Sequence, residues 1–535
     1  MEVSVLLHHL PLSFLLILLL YGCGRILYSI WWKPRLLSRR LIRQGIHGTD
    51  YKLLLGDMKE YIALITESWS KPLGLHHRIV QRVDPFTLST VQKHGTVQNP
   101  VWDLKNWKVS FFWSGKTPRL IVQDPKMMKE VLANRNGHFS KPALSSEILV
   151  LTRGLTTLKG DVWSIHRRIL NPAFHLEKLK EMVPIFASSC RRMIEEWKNK
   201  FGLEESYELD VWPEFQKLAA DIISRAAFGS SYEEGKKVFE LQNELIGLVL
   251  EVMQSLQIPG FRFIPTRKNR RRKELNKEIG SILRSIEQKK ENEMKDKETA
   301  RVDDLLGLML QSNGGQAESR SMTMDEIIEE CKQFYLAGQE TTASLLTWAM
   351  IVLSMHPDWQ EKAREEIRGF CSNKEIDFEA INRLKNLTMI LQEVLRLYPP
   401  VIAQYQHAYH ETRIGEQLVI PAGTDLTLPT LLIHHDHDLW GEDAEEFKPE
   451  RFAEGISRAS SSSRDIPPFF PFGSGPRTCI GQNFAMLEAK IALVLILQNF
   501  SFDLSPAYSH SPYTVMTLQP QHGAQIILRK IVTGS

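Results

Sequence analysis

Cysteine is scarce in this chain: five in 535 residues, at Cys23, Cys190, Cys331, Cys371 and Cys479. The number is odd and no pair has CxxC spacing. That argues against a disulfide scaffold or a zinc ribbon and fits a reducing compartment. Charge of one sign is also lacking. Lys and Arg number 66 against 63 Asp and Glu, a net charge of +3, so there is no general affinity for nucleic acid. Neither Walker nor Rossmann glycine spacing stands out, so the chain has no recognisable nicotinamide or flavin site of its own. Gly473-Ser474-Gly475 lacks the G-x-S-x-G spacing of a nucleophile elbow. No internal repeat is found. The remaining composition, 43% hydrophobic and 24% charged, is ordinary for a globular protein. The length allows two or three average domains, or one large one.

Long hydrophobic runs are absent but for one. Val3 to Cys23 is almost continuously apolar, and its length suits a membrane helix, which needs about 20 residues. Arg25, Lys33, Arg35, Arg39, Arg40 and Arg43 follow it, whereas only Glu2 and the amino terminus precede it. The positive-inside rule then places the body of the protein on the cytosolic side, with Trp31 and Trp32 at the interface. A cleaved signal peptide would need a basic n-region and a small-residue cleavage site; neither is clear, so a retained anchor is expected.

Beyond the anchor no composition shift marks a second domain. Val109 to Phe112, Ser114-Gly115 and Leu120 to Val122 read as strand, turn and strand. Asp124-Pro125 opens a helix, as N-cap and first helical residue. From about Ile165 to Phe370 the pattern is overwhelmingly helical. Strand-like pieces return at Leu418 to Ile420 and Ala524 to Leu528. Arg267 to Lys273 is read as an exposed basic loop leading into a charged helix, Glu274 to Thr299. Gln311 to Ser321 and the serine run Ser460 to Ser463 are read as loops. His434-His435-Asp436-His437 is read as a polar loop, since adjacent histidines in extended chain alternate sides and do not converge on one ion.

Four stretches carry chemistry. The first is Phe472-Gly473-Ser474-Gly475-Pro476-Arg477-Thr478-Cys479-Ile480-Gly481, followed by an apolar segment, Phe484 to Leu497, at helical spacing. A cysteine just ahead of a helix start lies near the positive end of the helix dipole, which favours the thiolate that a soft metal or a haem iron needs. The second opens with a capping box, Thr323-Met324-Asp325-Glu326. A helix can then run to His356-Pro357, about 45 Å at the usual rise. Ala337-Gly338-Gln339-Glu340-Thr341-Thr342 lies in its middle. Gly338 costs about 1 kcal/mol there relative to Ala. Two readings stand side by side: a small-residue notch for close helix packing, or a groove in which a Thr hydroxyl freed from i−4 bonding handles protons with the acid beside it. The third is Glu393 and Arg396 on an apolar helix, with Pro449-Glu450-Arg451-Phe452 able to supply a further donor to a buried carboxylate. The fourth is Trp163-Ser164-Ile165-His166-Arg167, which puts Trp163 and Arg167 one helical turn apart.

The first stretch resembles the haem-binding signature of the cytochrome P450 family, and the other three resemble family motifs in family order. The resemblance reaches from the anchor to Leu528. Phe334 to Thr342, Leu439 to Ala444 and Gly481 to Ala485 look most like the plant clan-72 enzymes, which oxidise hormones, terpenoids and related lipophilic molecules. It implies a mainly α fold with small β-sheets, in which haem b lies between a long central helix and the cysteine loop. An anchor at 1–30, a basic linker at 31–50 and a catalytic domain at 51–535 are expected. Cys479 would ligate the iron within a loop that includes Phe472, Arg477 and Gly481. Trp163 and Arg167 would donate to a propionate, and Arg477 suits one too. Glu340 and Thr341 would deliver protons for oxygen activation. Glu393, Arg396 and Arg451 would interlock behind the haem as a structural support. Lys159 and Arg168 would flank the side facing a redox partner.

Two departures from the family pattern are visible. Pro34 stands almost alone where a proline-rich hinge is usual. Gln404, Gln406 and His407 occupy a stretch where an arginine usually binds the second propionate, leaving His407 or Gln406 in its place. The substrate pocket is expected at Phe334, Ala337, Thr341, Val401, Ile402, Tyr405 and Val515. The family implies a membrane-anchored monooxygenase, single-pass in the endoplasmic reticulum with its catalytic domain cytosolic. It would use O2, a small lipophilic substrate, membrane lipid and electrons from NADPH–cytochrome P450 reductase. Two rivals are a haem-thiolate isomerase or lyase acting on hydroperoxides, and a non-catalytic haem sensor. The first class tends to lack the proton-delivery threonine, whereas Thr341 is present, and a sensor has no need for the Glu340-Thr341 pair.

Overall fold

The N-terminal run forms helix α1, Glu2–Leu27, then one π-helical turn, Tyr28–Trp32, then a helix Lys33–Ile42. The computed structural model describes residues 2–531 apart from 98–106, 135–136, 146–147, 230–231, 255–265, 297–303, 314–320, 372–375, 416–417 and 461–465. Among the described residues Phe14–Ile42 is the one helical span long and apolar enough to cross a membrane, and none of its most apolar window is buried. Parts of the expected loops Gln311 to Ser321 and Ser460 to Ser463 lie outside the described residues.

The chain divides into two compact units. The first comprises Met1–Ser70, Asp84–Pro142 and Ala403–Pro429. Its sheet has six strands in the order Thr96–Val97, Trp107–Ser114, Thr117–Val122, Thr424–Leu428, Gln404–Ala408 and Phe139–Ser140. The strand–turn–strand reading is borne out there: Phe111 pairs with Leu120 and Phe112 with Arg119. Gly115 takes the tight turn at φ +61°, a left-handed position that suits glycine. Both faces of Trp107–Ser114 are covered, since Val109, Phe111, Phe112 and Trp113 are all buried. Asp124 caps the helix Pro125–Ala133 by accepting from the Met127 N–H, as expected.

The second unit comprises Lys71–Val83, Ala143–Ile402 and Thr430–Ser535. The helices used below are α2 (Gly160–Leu170), α3 (Leu176–Lys200), α4 (Val211–Phe228), α5 (Met324–Met355), α6 (Lys385–Leu397) and α7 (Gln482–Asn499). Helix α5 starts at the expected capping box, with both reciprocal bonds between Thr323 and Glu326 present, and ends where Pro357 begins the next helix. It packs along α4, where Phe228 stacks on Tyr335 with ring centroids 4.4 Å apart. Helix α7 is buried for most of its length, as an all-round apolar sequence requires.

Three sequence expectations are corrected in this unit. The helical stretch is interrupted by a strand, Ser206–Asp210, because the strand Gln525–Lys530 pairs with it. The basic run at 267–273 is helical from Arg267 onward. Thr266 accepts from the Asn269 N–H at its start, and Arg271 pairs with Glu244 at 2.7 Å. The histidine run is not a polar loop. Thr430–His434 is a short buried helix and His435 is buried beside it.

Candidate active site

The Phe472–Gly481 loop is closed by the Cys479 N–H donating to the Phe472 carbonyl at 2.9 Å. Gly473 and Gly475 sit at φ +74° and +72°, where a Cβ would be strained, so the loop needs glycine at both positions. Gly481 is the N-cap of α7. The Cys479 side chain is reachable by solvent, yet protein crowds the thiol on most sides. That burial pushes its pKa up, against the pull of the Gly481 backbone N–H and the Arg167 charge. The helix start favours the thiolate and burial favours the thiol.

Two cations converge on this loop. Arg167 Nη1, from α2, donates to the Thr478 carbonyl at 2.9 Å. Arg477 Nη2 donates to the Leu158 carbonyl at 2.9 Å, and its guanidinium lies 4.3 Å from the Trp163 ring centroid. The cation over Trp163 is therefore Arg477, not Arg167 on the same helix. Burial and the nearby Arg167 push the Arg477 pKa down to about 10. Neither arginine has a carboxylate partner among the described residues. Two half-buried like charges without an acid between them are costly unless an anion joins them. A dianionic group lying against a cysteine is what this donor set fits, and haem with its propionates is such a group.

Helix α2 is held to α5 by a pair that sequence reasoning passed over. Buried His166 lies 2.7 Å from Glu330 Oε1, and the other Glu330 oxygen accepts from the Leu155 N–H at 3.0 Å. The contact joins residues 164 positions apart, and Glu330 stands among other acids near the start of α5, so nothing local singled it out.

On α5, Gly338 is explained by packing. A Cβ there would lie 2.9 Å from Ile223 Cγ1 of α4. Thr341 is not free of i−4 bonding as expected: its hydroxyl donates to the Ala337 carbonyl at 2.8 Å. A hydroxyl that donates backwards still keeps lone pairs to accept with. Glu340 is buried, and burial raises its pKa against two hydrogen bonds that lower it. Gln216 Nε2 of α4 donates to Oε1 at 3.3 Å and Thr517 Oγ1 to Oε2 at 3.2 Å. Neither Gln216 nor Thr517 was expected from the sequence, since both contacts join residues more than a hundred positions apart.

Glu393, Arg396 and Arg451 come together in one network. Arg396 grips Glu393 with two bonds, Nη2 to Oε1 at 2.7 Å and Nε to Oε2 at 2.8 Å, and both side chains are fully buried. Arg396 Nη1 also donates to the carbonyls of His434 and Ala444 at 2.7 and 2.6 Å. Arg451 Nε lies 3.5 Å from Glu393, and Arg451 Nη2 binds Asp443 at 2.7 Å. His434 extends the network toward the cysteine loop. Its Nδ1–H donates to the Arg396 carbonyl at 3.1 Å, and its Nε2 accepts from the Phe470 N–H at 3.0 Å.

The pocket candidates fall in both units. Phe334 is buried and stacked on Phe174, with centroids 5.6 Å apart. Ala337, Ile402 and Val515 are partly buried, and Val401 is exposed. Tyr405 and His407 belong to the first unit. There Arg119 lies 5.4 Å from the Tyr405 ring, and His407 Nδ1 is 2.6 Å from Asp425.

Comparison with known proteins gives the following. The family profile described as Cytochrome P450 matches residues 88–528. The chain is 49% identical to "Cytochrome P450 CYP72A616" of Paris polyphylla over 94% of this chain and 95% of that protein. It is 45% identical to "Cytochrome P450 72A15" of Arabidopsis thaliana over 99% of this chain and all of that protein. It is 46% identical to "7-deoxyloganic acid hydroxylase" of Catharanthus roseus over 96% of this chain and 97% of that protein.

Proposed function

From the premise that this chain belongs to the cytochrome P450 family and is a monooxygenase, we propose that it hydroxylates a small lipophilic molecule at the cytosolic face of the endoplasmic reticulum. The substrate class is a hormone, steroid, terpenoid or fatty-acid-like compound. The hydroxylase of Catharanthus roseus supports C–H oxidation as the chemistry. Residues 1–30 anchor the chain, 31–50 form the basic linker and 51–535 carry the catalysis. Electrons come from NADPH through a flavoprotein reductase, because the chain has no nucleotide-binding glycine pattern of its own.

Cys479 would hold the haem iron through its thiolate, and Arg167, Arg477 and Trp163 would hold the propionate side. The observation that carries this is the pair of half-buried arginines without an acid partner among the described residues, at the loop that bears the thiol. Bound haem supplies the activation of O2, one oxygen entering a C–H bond and the other leaving as water, at the expense of two electrons and two protons. The chain's own residues manage the protons. Buried Glu340 keeps its carboxyl protonated more readily than an exposed acid, and Thr341 offers lone pairs one residue away. The Glu393–Arg396–Arg451 network and His434 keep the loop rigid.

The test is the carbon monoxide difference spectrum of the reduced full-length protein. Wild type gives the band of thiolate-ligated haem and Cys479→Ser loses it. A thiolate band retained in Cys479→Ser would refute the assignment. Microsomes with reductase, screened against plant hormones and triterpenoids by substrate-induced haem spectral shift, identify the substrate class.

A further inference from the structure

Glu340 is satisfied in an unusual way. A buried carboxyl facing a lysine or arginine would be held ionised; this one faces two neutral donors from two different elements. Gln216 reaches it from α4, and Thr517 from the tip of the hairpin Pro512–Thr514 with Leu518–Pro520. Tyr513, whose pKa burial and the Glu340 charge both raise, is also neutral at ordinary pH. Gln339 Nε2 of α5 donates to the main-chain carbonyl of Gln216 at 3.5 Å, which ties the backbone of α4 to α5 at this point.

The hairpin tip does not need the Thr517 hydroxyl for its own stability. Ser344 Oγ and Trp348 Nε1 of α5 both donate to the Leu518 carbonyl, at 2.5 and 3.0 Å. The Leu518 N–H donates to the Pro400 carbonyl at 2.9 Å, and the Val515 N–H to the Thr517 carbonyl at 3.3 Å. Four backbone-directed bonds thus fix the tip whichever side chain stands at 517. The Thr517 hydroxyl is left with one task, which is to bind Glu340.

We propose that Thr517, aided by Gln216, is a positioning residue of this enzyme: the pair locks the Glu340 carboxyl in one rotamer between α4 and the hairpin tip, so that the acid is oriented when a proton is required. This rests on the reading of Glu340 as the proton-delivering acid. Neither residue is assigned contact with substrate or haem. A neutral cradle holds the acid without paying it to ionise, and its proton, once given, must be replaced from solvent. Gln216 is only partly buried.

The experiment compares Thr517→Val, Thr517→Ser and Gln216→Leu in the full-length holoenzyme with reductase. Two readouts are used. The first is the infrared carbonyl band of the protonated Glu340 carboxyl, identified by its loss in Glu340→Gln and measured without turnover. The second is product formed per NADPH consumed, with kcat and KM separated. In Thr517→Val the band shifts and broadens as one hydrogen bond is lost. Coupling and kcat fall by up to about tenfold, a fraction of what a general acid supplies, and KM stays constant because ground-state binding is untouched. Thr517→Ser restores both, and Gln216→Leu gives a smaller version of the same change. An unshifted band in Thr517→Val overturns the proposal whatever turnover does. A shifted band with full coupling, together with full coupling in Glu340→Gln, upholds the cradle and overturns the role of Glu340 on which it rests.

Discussion

At the scale of single residues, the meaning of a side chain depends on what meets it across space. Gly338 illustrates this. In the sequence it fits a ligand groove and a packing notch equally; in the fold Ile223 occupies the space a Cβ would need. Gly338→Val should destabilise the protein by about 2 kcal/mol through overpacking, and Ile223→Ala in the same background should recover part of it. Chemical denaturation of the two variants checks this, and an unchanged midpoint for Gly338→Val would sink the packing reading. Thr341 is the complementary case. Its hydroxyl is engaged by Ala337, but its lone pairs are not. Thr341→Ala should cut coupled turnover by about tenfold or more while NADPH consumption continues as peroxide. A hydroperoxide lyase or a sensor would be little affected.

At the scale of elements, the proposed support of the cysteine loop joins segments far apart in sequence. Glu393 on α6 takes two bonds from Arg396, one from the Lys448 N–H at 2.9 Å, and the charge of Arg451. Removing one partner of so buried a set leaves a charge uncompensated, at a cost of about 3–5 kcal/mol. Glu393→Ala should therefore accumulate little protein with the thiolate haem band, and Arg396→Lys should resemble it because a single ammonium cannot reproduce the fork. Normal spectral yield in either variant would contradict the support role. The capping box of α5 was readable from four consecutive residues, because both its bonds are local. His434 was not, because its partners are the backbone of Arg396 and Phe470.

At the scale of the whole molecule, buried neutral histidines set the response to acid. Burial pushes His435 down to about 3 and His510 to about 4, and holds His77 and His434 well below the ordinary value. Unfolded histidines titrate near pH 6.5. Below that the unfolded chain binds more protons than the native one, so stability falls as pH falls, by about 1.4 kcal/mol per pH unit per histidine. The loss from His510 levels off near pH 4. Asp84, Glu287, Glu340 and Glu488, whose pKa values burial raises, act in the opposite sense above about pH 4. With His356, which burial also lowers, five histidines stand against four carboxyls and predict a net loss from pH 6.5 downward. Thermal scans between pH 7 and 5 check it, with a shallower slope for His435→Gln; a flat or rising Tm on acidification would contradict it. The exposed apolar helix α1 predicts retention in the membrane pellet after alkaline carbonate washing, and release of the full-length chain would contradict an integral anchor.

Taken alone, the sequence determined what local bonds and composition can determine. These are the apolar N-terminal segment, the capped start and proline-bounded end of α5, the glycine-dependent cysteine loop and the family membership that its motifs carry. It also identified Glu393, Arg396 and Arg451 as a group, because an acid on an apolar helix must find donors. Only tertiary structure decided which cation covers Trp163, whether the Thr341 hydroxyl is free, what Gly338 packs against and which neutral groups hold Glu340. Each of these turns on a contact between segments distant in the chain. Residue type restricts such a contact to a few chemically suitable partners, and the packing of helices and hairpin selects one.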